Sequence, residues 1–444
     1  MSQPDSNSTR PLAGGTVAPF GAFGAAGAQT PAGSLGVTRP AGRRGWPLFD
    51  SFQIRSFRFQ WIADGLATWA SEIDLLVLSW FVLVDTDSPF LVGLLGALRF
   101  TGTLLGPLYG IVVDRIDRTK LFVGIRVFMA GLAATMMALV LTDTLQLWHA
   151  FLLATAVGLA RQFDMVVRQA LLADVVPRER LMNAVGLARS TMDAARITGA
   201  LAGGQLLARL GLGQAYVAVA ALYVVSSLFA LGATIGLTRP ARSPGGAWQQ
   251  FTSGLSFMRK DETIMAIMAL AFLVNTTAFP LSNGLLPVVA RDVFGSGPTG
   301  LSVLAASIAA GALAGSIGMA AIARSSRPAT LMFAGIVVWH GAMLGFAFIP
   351  SIAFGAPVLA LFGASTSMAM ITMQTVLMTI TSPEYRGRVM GVRALAVYGL
   401  PMGLLFGGWL AERLGVRQAI LVLGTVGMAL TLAAGLRWRF LLRS

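Results

Sequence analysis

Long apolar stretches separated by short charged loops constrain this chain more than any other sequence feature. A helix that crosses a bilayer needs about 20 mostly apolar residues, and the sequence supplies such stretches repeatedly from residue 57 onward. Only 12% of the 444 residues are charged and 55% are hydrophobic, whereas a soluble domain usually carries about 25% charged residues. Much of the surface must therefore face lipid, and the sequence predicts an all-α membrane protein.

The apolar stretches number twelve, six on each side of a polar linker. We place them at residues 57–84, 89–113, 121–142, 146–170, 181–208, 213–237, 263–290, 298–322, 328–349, 354–380, 388–411 and 416–437. Because residues 1–45 are dominated by Gly, Ala, Pro, Ser and Thr, they cannot bury enough apolar surface to fold. The predicted organisation is a disordered cytoplasmic tail, an N-terminal six-helix half, a cytoplasmic linker and a C-terminal six-helix half, at 1–45, 46–237, 238–262 and 263–444.

The basic residues predict the orientation of the chain in the membrane. Loops on one side carry bases such as Arg115 and Lys120, whereas loops on the other side carry mainly acids such as Asp87 and Asp143. The positive-inside rule places both termini and the linker in the cytoplasm, which defines a predicted inner and a predicted outer side. We expect a multi-pass protein of the cell membrane, the inner membrane of a bacterium. These loops also account for the net charge of +14, so no nucleic-acid partner is expected.

The two predicted halves contain a repeated segment. Residues 199–211 read GALAGGQLLARLG and residues 403–415 read GLLFGGWLAERLG, with eight of thirteen positions identical. Parallel repeats of six-helix units, with the substrate pathway between them, are a known transporter design. The repeat therefore indicates a transporter whose halves share one architecture.

The loop at residues 110–120, GIVVDRIDRTK, resembles the loop between helices 2 and 3 of the major facilitator superfamily. That loop is usually written G-x-x-x-D-R/K-x-G-R/K-R/K. Gly110, Asp114, Arg115 and Arg118 fit the pattern, and Asp117 stands where Gly is usual. The resemblance implies the twelve-helix major facilitator fold and a gating role for this loop, in which Asp114 holds the inner side closed against the start of the eleventh helix.

Two further segments narrow the resemblance. The Asp-Arg-x-Asp-Arg form of the loop, together with WFVLVDTDSPFLVGLLGALRF and VVPRERLMNAVGL, is similar to the branch of enterobactin exporters and macrolide efflux proteins. Gly199, Gly203 and Gly204 fit the G-x-x-x-G-G positions of a helix-5 pattern associated with antiporters, but Ala200 replaces its proline. Close helix packing through small residues explains the same glycines, so both interpretations stand.

Ionisable residues at membrane depth are the candidate functional groups, because their burial is costly. Glu72 and Asp74 lie near the middle of the first span, and Arg99 lies at a similar depth in the second. Residues two apart on a helix point about 200° apart, so one carboxylate pairs with Arg99 and the other faces the central cavity or the fifth span. The spacing leaves open which does which. Asp164 and Arg168, near the inner end of the fourth span, are expected to pair.

The fifth span adds Asp193 and Arg196, whose i, i+3 spacing lets them pair on one helix face. Their repeat partners, Val397 and Leu400, are apolar, so the polar core belongs to the first half. Three roles remain open for these charges: an ion-pair network that fixes helix packing, proton coupling through one carboxylate, and direct contact with the substrate.

Together these features predict a secondary active transporter that exports a small organic molecule, a drug or a siderophore, against proton entry. Import by proton symport with the same fold is the alternative, and a membrane-embedded enzyme or a receptor is a distant one. With no Cys and two His in the chain, we expect no metal, no cofactor and no catalytic residue. The expected partners are the substrate, protons and the lipid bilayer, and the expected state is a monomer.

Overall fold

The computed structural model describes residues 51–233, 261–321, 328–381 and 396–438. The predicted tail at 1–45 lies outside the described residues, as does most of the predicted linker. We call residues 51–233 the N-terminal part and the described residues from 261 to 438 the C-terminal part. Throughout these described ranges the regular structure is helical, as the apolar stretches predict.

The N-terminal part contains six helices: α1 Arg55–Thr86, α2 Pro89–Arg99, α3 Gly106–Arg115, α4 Arg118–Leu141, α5 Leu147–Val175 and α6 Arg178–Ala233. A 3₁₀ turn, Thr101–Leu105, joins α2 to α3, so the second apolar stretch is broken once. Helix α6 is interrupted at Gly211, whose φ of 78° and ψ of −179° are not helical. Glycine reaches a positive φ without the steric cost that a Cβ would add, so α6 has two arms that match two predicted stretches.

The C-terminal part contains α7 Glu262–Thr277, the short α8 Leu286–Val288, α9 Pro298–Ala321, α10 Pro328–Phe346, α11 Ile352–Ile380, α12 Gly399–Leu414 and α13 Val416–Arg437. Two π-helical turns, Leu281–Leu285 and Val289–Val293, flank α8. They make Glu262–Val293 one apolar helical stretch. Such π turns are rare and occur often at functional sites.

Nine helices of the described part are long and apolar enough to cross a membrane, judged by length and composition. One of them, Asn183–Ala233, has 51 residues and includes the break at Gly211. The protein is thus an all-helical, multi-pass membrane protein, whereas the expected number of twelve spans stays a prediction.

The sequence repeat has a structural counterpart. Gly211 and Gly415 occupy the same repeat position, and both have a positive φ, 78° and 88°. Each separates two helical segments: the arms of α6 at Gly211, and α12 from α13 at Gly415. The repeated Arg-Leu-Gly sequence therefore encodes the same turn twice.

Candidate functional site

Glu72 and Asp74 of α1 point to different partners. Asp74 is buried, and its Oδ2 accepts a hydrogen bond of 2.7 Å from Nη1 of Arg99. Its Oδ1 accepts a 3.1 Å bond from the hydroxyl of Tyr216. Asp74 is therefore the partner of Arg99 that the helix geometry required, and the pair lies inside the N-terminal part. Beside it, the Tyr223 hydroxyl and Nη2 of Arg99 are buried with no hydrogen-bond partner among the described residues.

Glu72 lies between two half-exposed arginines on the other side of α1. Its Oε1 is 3.8 Å from Nη2 of Arg161 on α5 and 3.8 Å from Nε of Arg196 on α6. The Glu72 side chain is 16% exposed, whereas those of Arg161 and Arg196 are 39% and 38% exposed. We call Glu72, Arg161 and Arg196 the Glu72 cluster. Both arginine side chains are partly exposed, and within the described ranges both nitrogen–oxygen distances to the Glu72 carboxylate are 3.8 Å.

Asp193 and Arg196 pair on α6, as their spacing predicts. Nη1 of Arg196 lies 3.4 Å from Oδ1 of Asp193, and Nε of Arg189 lies 3.2 Å from Oδ2 of the same carboxylate. Arg196 therefore links Asp193 to Glu72. Through these ion pairs, a change in the charge of Glu72 alters the electrostatic surroundings of Arg196 and Asp193 on α6.

A third ionic group lies among α1, α4 and α5. Nη2 of Arg126 donates a 2.5 Å hydrogen bond to Oδ1 of Asp64, and its Nε lies 3.2 Å from Oδ1 of Asp164. All three side chains are buried. Asp164 therefore faces Arg126, not the expected Arg168; the backbone oxygen of Arg168 accepts from Gln60. Sequence analysis missed this group, although Arg126 stands alone within an apolar stretch.

The predicted gating loop connects α3 to α4. Asp117 caps α4 by accepting a 2.9 Å hydrogen bond from the Thr119 amide. Partial burial raises the pKa of Asp117, but the hydrogen bonds from Thr119 outweigh it, so this pKa lies below its usual value. Arg118 pairs with Asp174 at the end of α5, at 2.9 Å. Arg115 ends α3 and is exposed.

Two members of the loop motif cannot be placed further. Gly110 and Asp114 belong to α3, but the surroundings of both residues lie outside the described part of the structure. The gating role of Asp114 therefore stays a prediction that rests on the resemblance.

The glycines of the helix-5 pattern bring backbones close together. A Cβ on Gly199 would lie 3.2 Å from Cβ of Glu72, and one on Gly203 would lie 3.2 Å from Cα of Ile73. Gly204 faces the C-terminal part, where a Cβ would lie 2.7 Å from the Pro298 oxygen. The packing role of these glycines is thus visible, while their antiporter role is untested.

The repeat partner of Gly204 makes a matching contact. A Cβ on Gly408 of α12 would lie 2.9 Å from the Pro89 oxygen, at the start of α2 in the N-terminal part. Each repeated segment therefore presents one glycine to the opposite part. Both contacts lie near the ends of helices on the predicted outer side, so the two parts meet closely there.

Polar contacts between the two parts gather around the turn from α1 to α2. Glu412 accepts from Ser88 at 2.5 Å and from the Phe90 amide at 3.1 Å. Nη2 of Arg291 lies 2.7 Å from Oδ1 of Asp87, and Nη1 of Arg291 donates a 3.1 Å hydrogen bond to the Leu83 oxygen. From the sequence, Asp87 is expected only as a loop charge on the predicted outer side, and no role is predicted for Arg291 or Glu412.

Known proteins that resemble the chain are transporters. A family profile described as "Transmembrane secretion effector" matches residues 47–443. Macrolide efflux protein A of Streptococcus pyogenes is 21% identical over 377 residues, covering 82% of this chain and 92% of that protein. The enterobactin exporter EntS of Shigella boydii is 27% identical over 346 residues, covering 74% of this chain and 79% of that protein.

Solved structures support the fold. A bacterial homologue of the lysosomal transporter Spinster, inward-facing and unoccupied, superposes with a TM-score of 0.70 at 15% identity, covering 85% of this chain and 96% of that one. A variant of the nucleoside transporter NupG superposes with a TM-score of 0.72 at 14% identity, covering 86% and 100%. At such identities the likeness concerns the fold alone.

Proposed function

The chain belongs to the transmembrane secretion effector family of major facilitator transporters, and on that premise we propose that it exports a small organic molecule in exchange for protons. Its family and fold are those of transporters and not of enzymes. In the proposal, twelve helices form two six-helix halves that rock about a central site in the bacterial inner membrane, with both termini in the cytoplasm.

The observation that carries the proposal is the position of Glu72 between Arg161 and Arg196. A proton-coupled carrier needs an acid that holds a proton in one conformation and releases it in the other. In the proposal, Glu72 pairs with the two guanidinium groups in one conformation and takes up a proton in the other, after these groups have moved away. Because Arg161 and Arg196 lie on α5 and α6 and Glu72 lies on α1, a small helix shift changes these 3.8 Å distances.

Asp74 serves a different purpose in this proposal. Hydrogen bonds of 2.7 Å from Arg99 and 3.1 Å from Tyr216 hold its carboxylate in place. It therefore stabilises the N-terminal half and leaves proton transfer to Glu72. Asp193, which pairs with Arg196 and Arg189, is the next candidate for the proton carrier if Glu72 does not have this role.

The same cluster supplies the chemistry for binding a substrate. Half-exposed guanidinium groups donate to oxygen atoms of a ligand, and the Glu72 carboxylate accepts from hydroxyl or amine groups. A donor held by ionised Glu72 competes with a proton for the same oxygen atoms. Such competition is what exchange of substrate against protons requires, since only one of the two then occupies the site.

The names of two relatives favour export over import. The related proteins bear the names macrolide efflux protein and enterobactin exporter, at 21% and 27% identity. Import by proton symport remains the alternative, because a fold shared with a nucleoside transporter does not decide the direction of transport. We place this chain with the exporters, and its substrate among drug-like or siderophore-like molecules.

Transport by everted membrane vesicles tests this proposal. Vesicles acidified inside and enriched in the protein are offered a panel of labelled macrolides, catecholates and nucleosides, and a strain lacking the protein is scored for retention of the same compounds. We expect at least one compound to accumulate in everted vesicles and to be retained by the deletion strain. Accumulation only in right-side-out vesicles would establish import instead.

The predicted orientation has its own test. Reporter fusions after Arg242 and after Ser444 are expected to read cytoplasmic, and a fusion after Asp143 is expected to read outside. A cytoplasmic signal at Asp143 would contradict both the span count and the assignment of the outer side.

A further inference from the structure

The turn between α1 and α2 exposes two helix ends to the C-terminal part. Helix α1 ends at Thr86 and α2 begins at Pro89, so only Asp87 and Ser88 separate them. The last carbonyl groups of a helix and its first amide groups lack partners within the helix. One side of this turn therefore carries partial negative charge, and the other carries partial positive charge.

Glu412 supplies an anion to the start of α2. It lies near the end of α12, and its Oε2 accepts from the Ser88 hydroxyl at 2.5 Å and from the Phe90 amide at 3.1 Å. The Ser88 hydroxyl oxygen in turn accepts from the Leu91 amide at 3.2 Å, within α2 itself. The first turn of α2 is thus capped by its own serine and by a carboxylate from the opposite part.

Arg291 supplies a cation to the end of α1. Its Nη1 donates a 3.1 Å hydrogen bond to the Leu83 oxygen, in the last turn of α1, and its Nη2 lies 2.7 Å from Asp87. Within the C-terminal part, Oδ1 of Asp292 lies 2.5 Å from Nε of Arg291. Because the Asp87 side chain is 85% exposed, its ion pair adds little, and the bond to Leu83 contributes more.

We propose that Arg291 and Glu412 form an outer clasp, which grips both helix ends of the Asp87–Ser88 turn and holds the predicted outer side shut. The cation sits on the carbonyl end of α1 and the anion on the amide end of α2, so each charge matches its helix dipole. Both residues come from the C-terminal part, so the clasp must break whenever the two parts separate there. This device goes beyond the proposed export function, since it serves transport in either direction.

The clasp has a predicted counterpart at the other end of the same helices. Glu412 lies near the end of α12, and Asp114 lies near the end of α3, which continues from α2. The resemblance assigns Asp114 to the start of the eleventh predicted span, residues 388–411, and Glu412 directly follows the end of that span. Each helix would then carry an acid near its end that caps the start of its partner, and the two caps would form in alternate conformations.

Because the chain contains no cysteine, a single introduced thiol can report how often the outer side opens. Ser302→Cys introduces a single thiol at a fully buried position against Gly204, in the contact between the two parts. In membranes or intact cells, a membrane-impermeant maleimide added from outside labels this thiol only when the outer side opens. In the Ser302→Cys background we compare Glu412→Ala and Arg291→Ala with two controls, Arg413→Ala and Asp85→Ala. Arg413 is the exposed neighbour of Glu412 on α12, and Asp85 is an exposed charge on α1 beside the Asp87–Ser88 turn.

We expect Glu412→Ala and Arg291→Ala each to raise the labelling rate by about tenfold or more, the effect of losing roughly one hydrogen bond to a charged group. The double variant is expected to label faster still, and both controls are expected to label at the background rate. Glu412→Gln keeps an acceptor oxygen without the charge, so an intermediate rate is expected.

Equal labelling of Glu412→Ala and Arg413→Ala would overturn the clasp. Gel filtration of each purified variant separates opening from misfolding, and Glu412→Gln retains the test if the alanine variant aggregates. If Glu412→Gln then labels at the background rate, the clasp is equally refuted. The measurement needs neither a substrate nor a proton gradient, so it stands or fails separately from the export proposal.

Discussion

The N-terminal and C-terminal parts share a repeat but bury opposite kinds of side chain. The N-terminal part buries the charged residues Asp64, Asp74, Arg99, Arg126 and Asp164. In the described residues of the C-terminal part, the buried polar side chains are Asn275, Thr277, Ser302, His340, Ser365, Thr372, Thr381 and Thr431, and none of them is Asp, Glu, Lys or Arg. The two parts therefore differ in the polarity of their buried side chains although they share a repeated segment.

This difference indicates a division of labour. A buried charge must be compensated by partners, and it is kept at membrane depth mainly where it serves a function. Several buried polar groups of the C-terminal part are satisfied within their own helix, as where the Asn275 side chain donates to the Ala271 oxygen within α7. We infer that the N-terminal part carries the proton chemistry, while the C-terminal part moves against it and closes it through contacts near helix ends.

The largest expected effect comes from breaking the buried pair of Asp74 and Arg99. Asp74→Asn leaves Arg99 as an uncompensated buried charge, which typically costs about 3–5 kcal/mol of unfolding free energy. The matched change in the C-terminal part is Thr277→Val, which removes the 2.9 Å hydrogen bond to His340 and is expected to cost about 1 kcal/mol. Unfolding in detergent, followed by circular dichroism, compares the two variants. Equal losses would contradict the division of labour.

The next effect concerns the Arg126 group. Arg126→Met fills a similar volume but leaves Asp64 and Asp164 without their shared cation. We expect the free energy of unfolding to fall by about 3 kcal/mol. Arg437→Met, at the exposed end of α13, is the control and is expected to change stability by less than about 0.5 kcal/mol. An Arg126→Met variant as stable as the control would show that this group does not support the N-terminal part.

The sequence predicted the parts of the site that depend on depth and helical spacing. The opposite directions of Glu72 and Asp74 follow from the 100° rotation per residue, and the pairing of Asp193 with Arg196 follows from the i, i+3 rule. What spacing could not decide was which carboxylate meets Arg99, because the answer depends on how α1 is rotated against α2. That rotation is set by side-chain packing over the whole interface.

The residues missed by the sequence analysis have partners on other helices. Arg126 and Asp64 are 62 positions apart, and Arg161 meets Glu72 across α1 and α5. The depth argument applied to Arg99 also applies to both arginines, so the signal was present in the sequence. The roles of Arg291 and Glu412 carried no such signal, since both stand among loop charges on the predicted outer side.

A smaller effect is expected at the predicted gating loop. Asp114→Asn keeps the shape of the side chain but removes the charge that is proposed to cap the start of the eleventh predicted span, residues 388–411. Losing about 1.4 kcal/mol from a charge-assisted bond corresponds to a rate about tenfold lower. We expect transport in vesicles to fall by about this factor while expression stays near normal. Unchanged transport would contradict the gating role and leave the loop with a role only in setting the orientation of the chain in the membrane.

The most direct test of the account compares Glu72→Gln with wild type in proteoliposomes, under two driving forces. Glutamine mimics protonated glutamate, so substrate exchange at equal pH is expected to continue while transport driven by a pH gradient stops. Stability is expected to change little, because Glu72 is partly exposed and its two cations lie 3.8 Å away. Full pH-driven transport by Glu72→Gln would contradict proton coupling through this residue and move the assignment to Asp193.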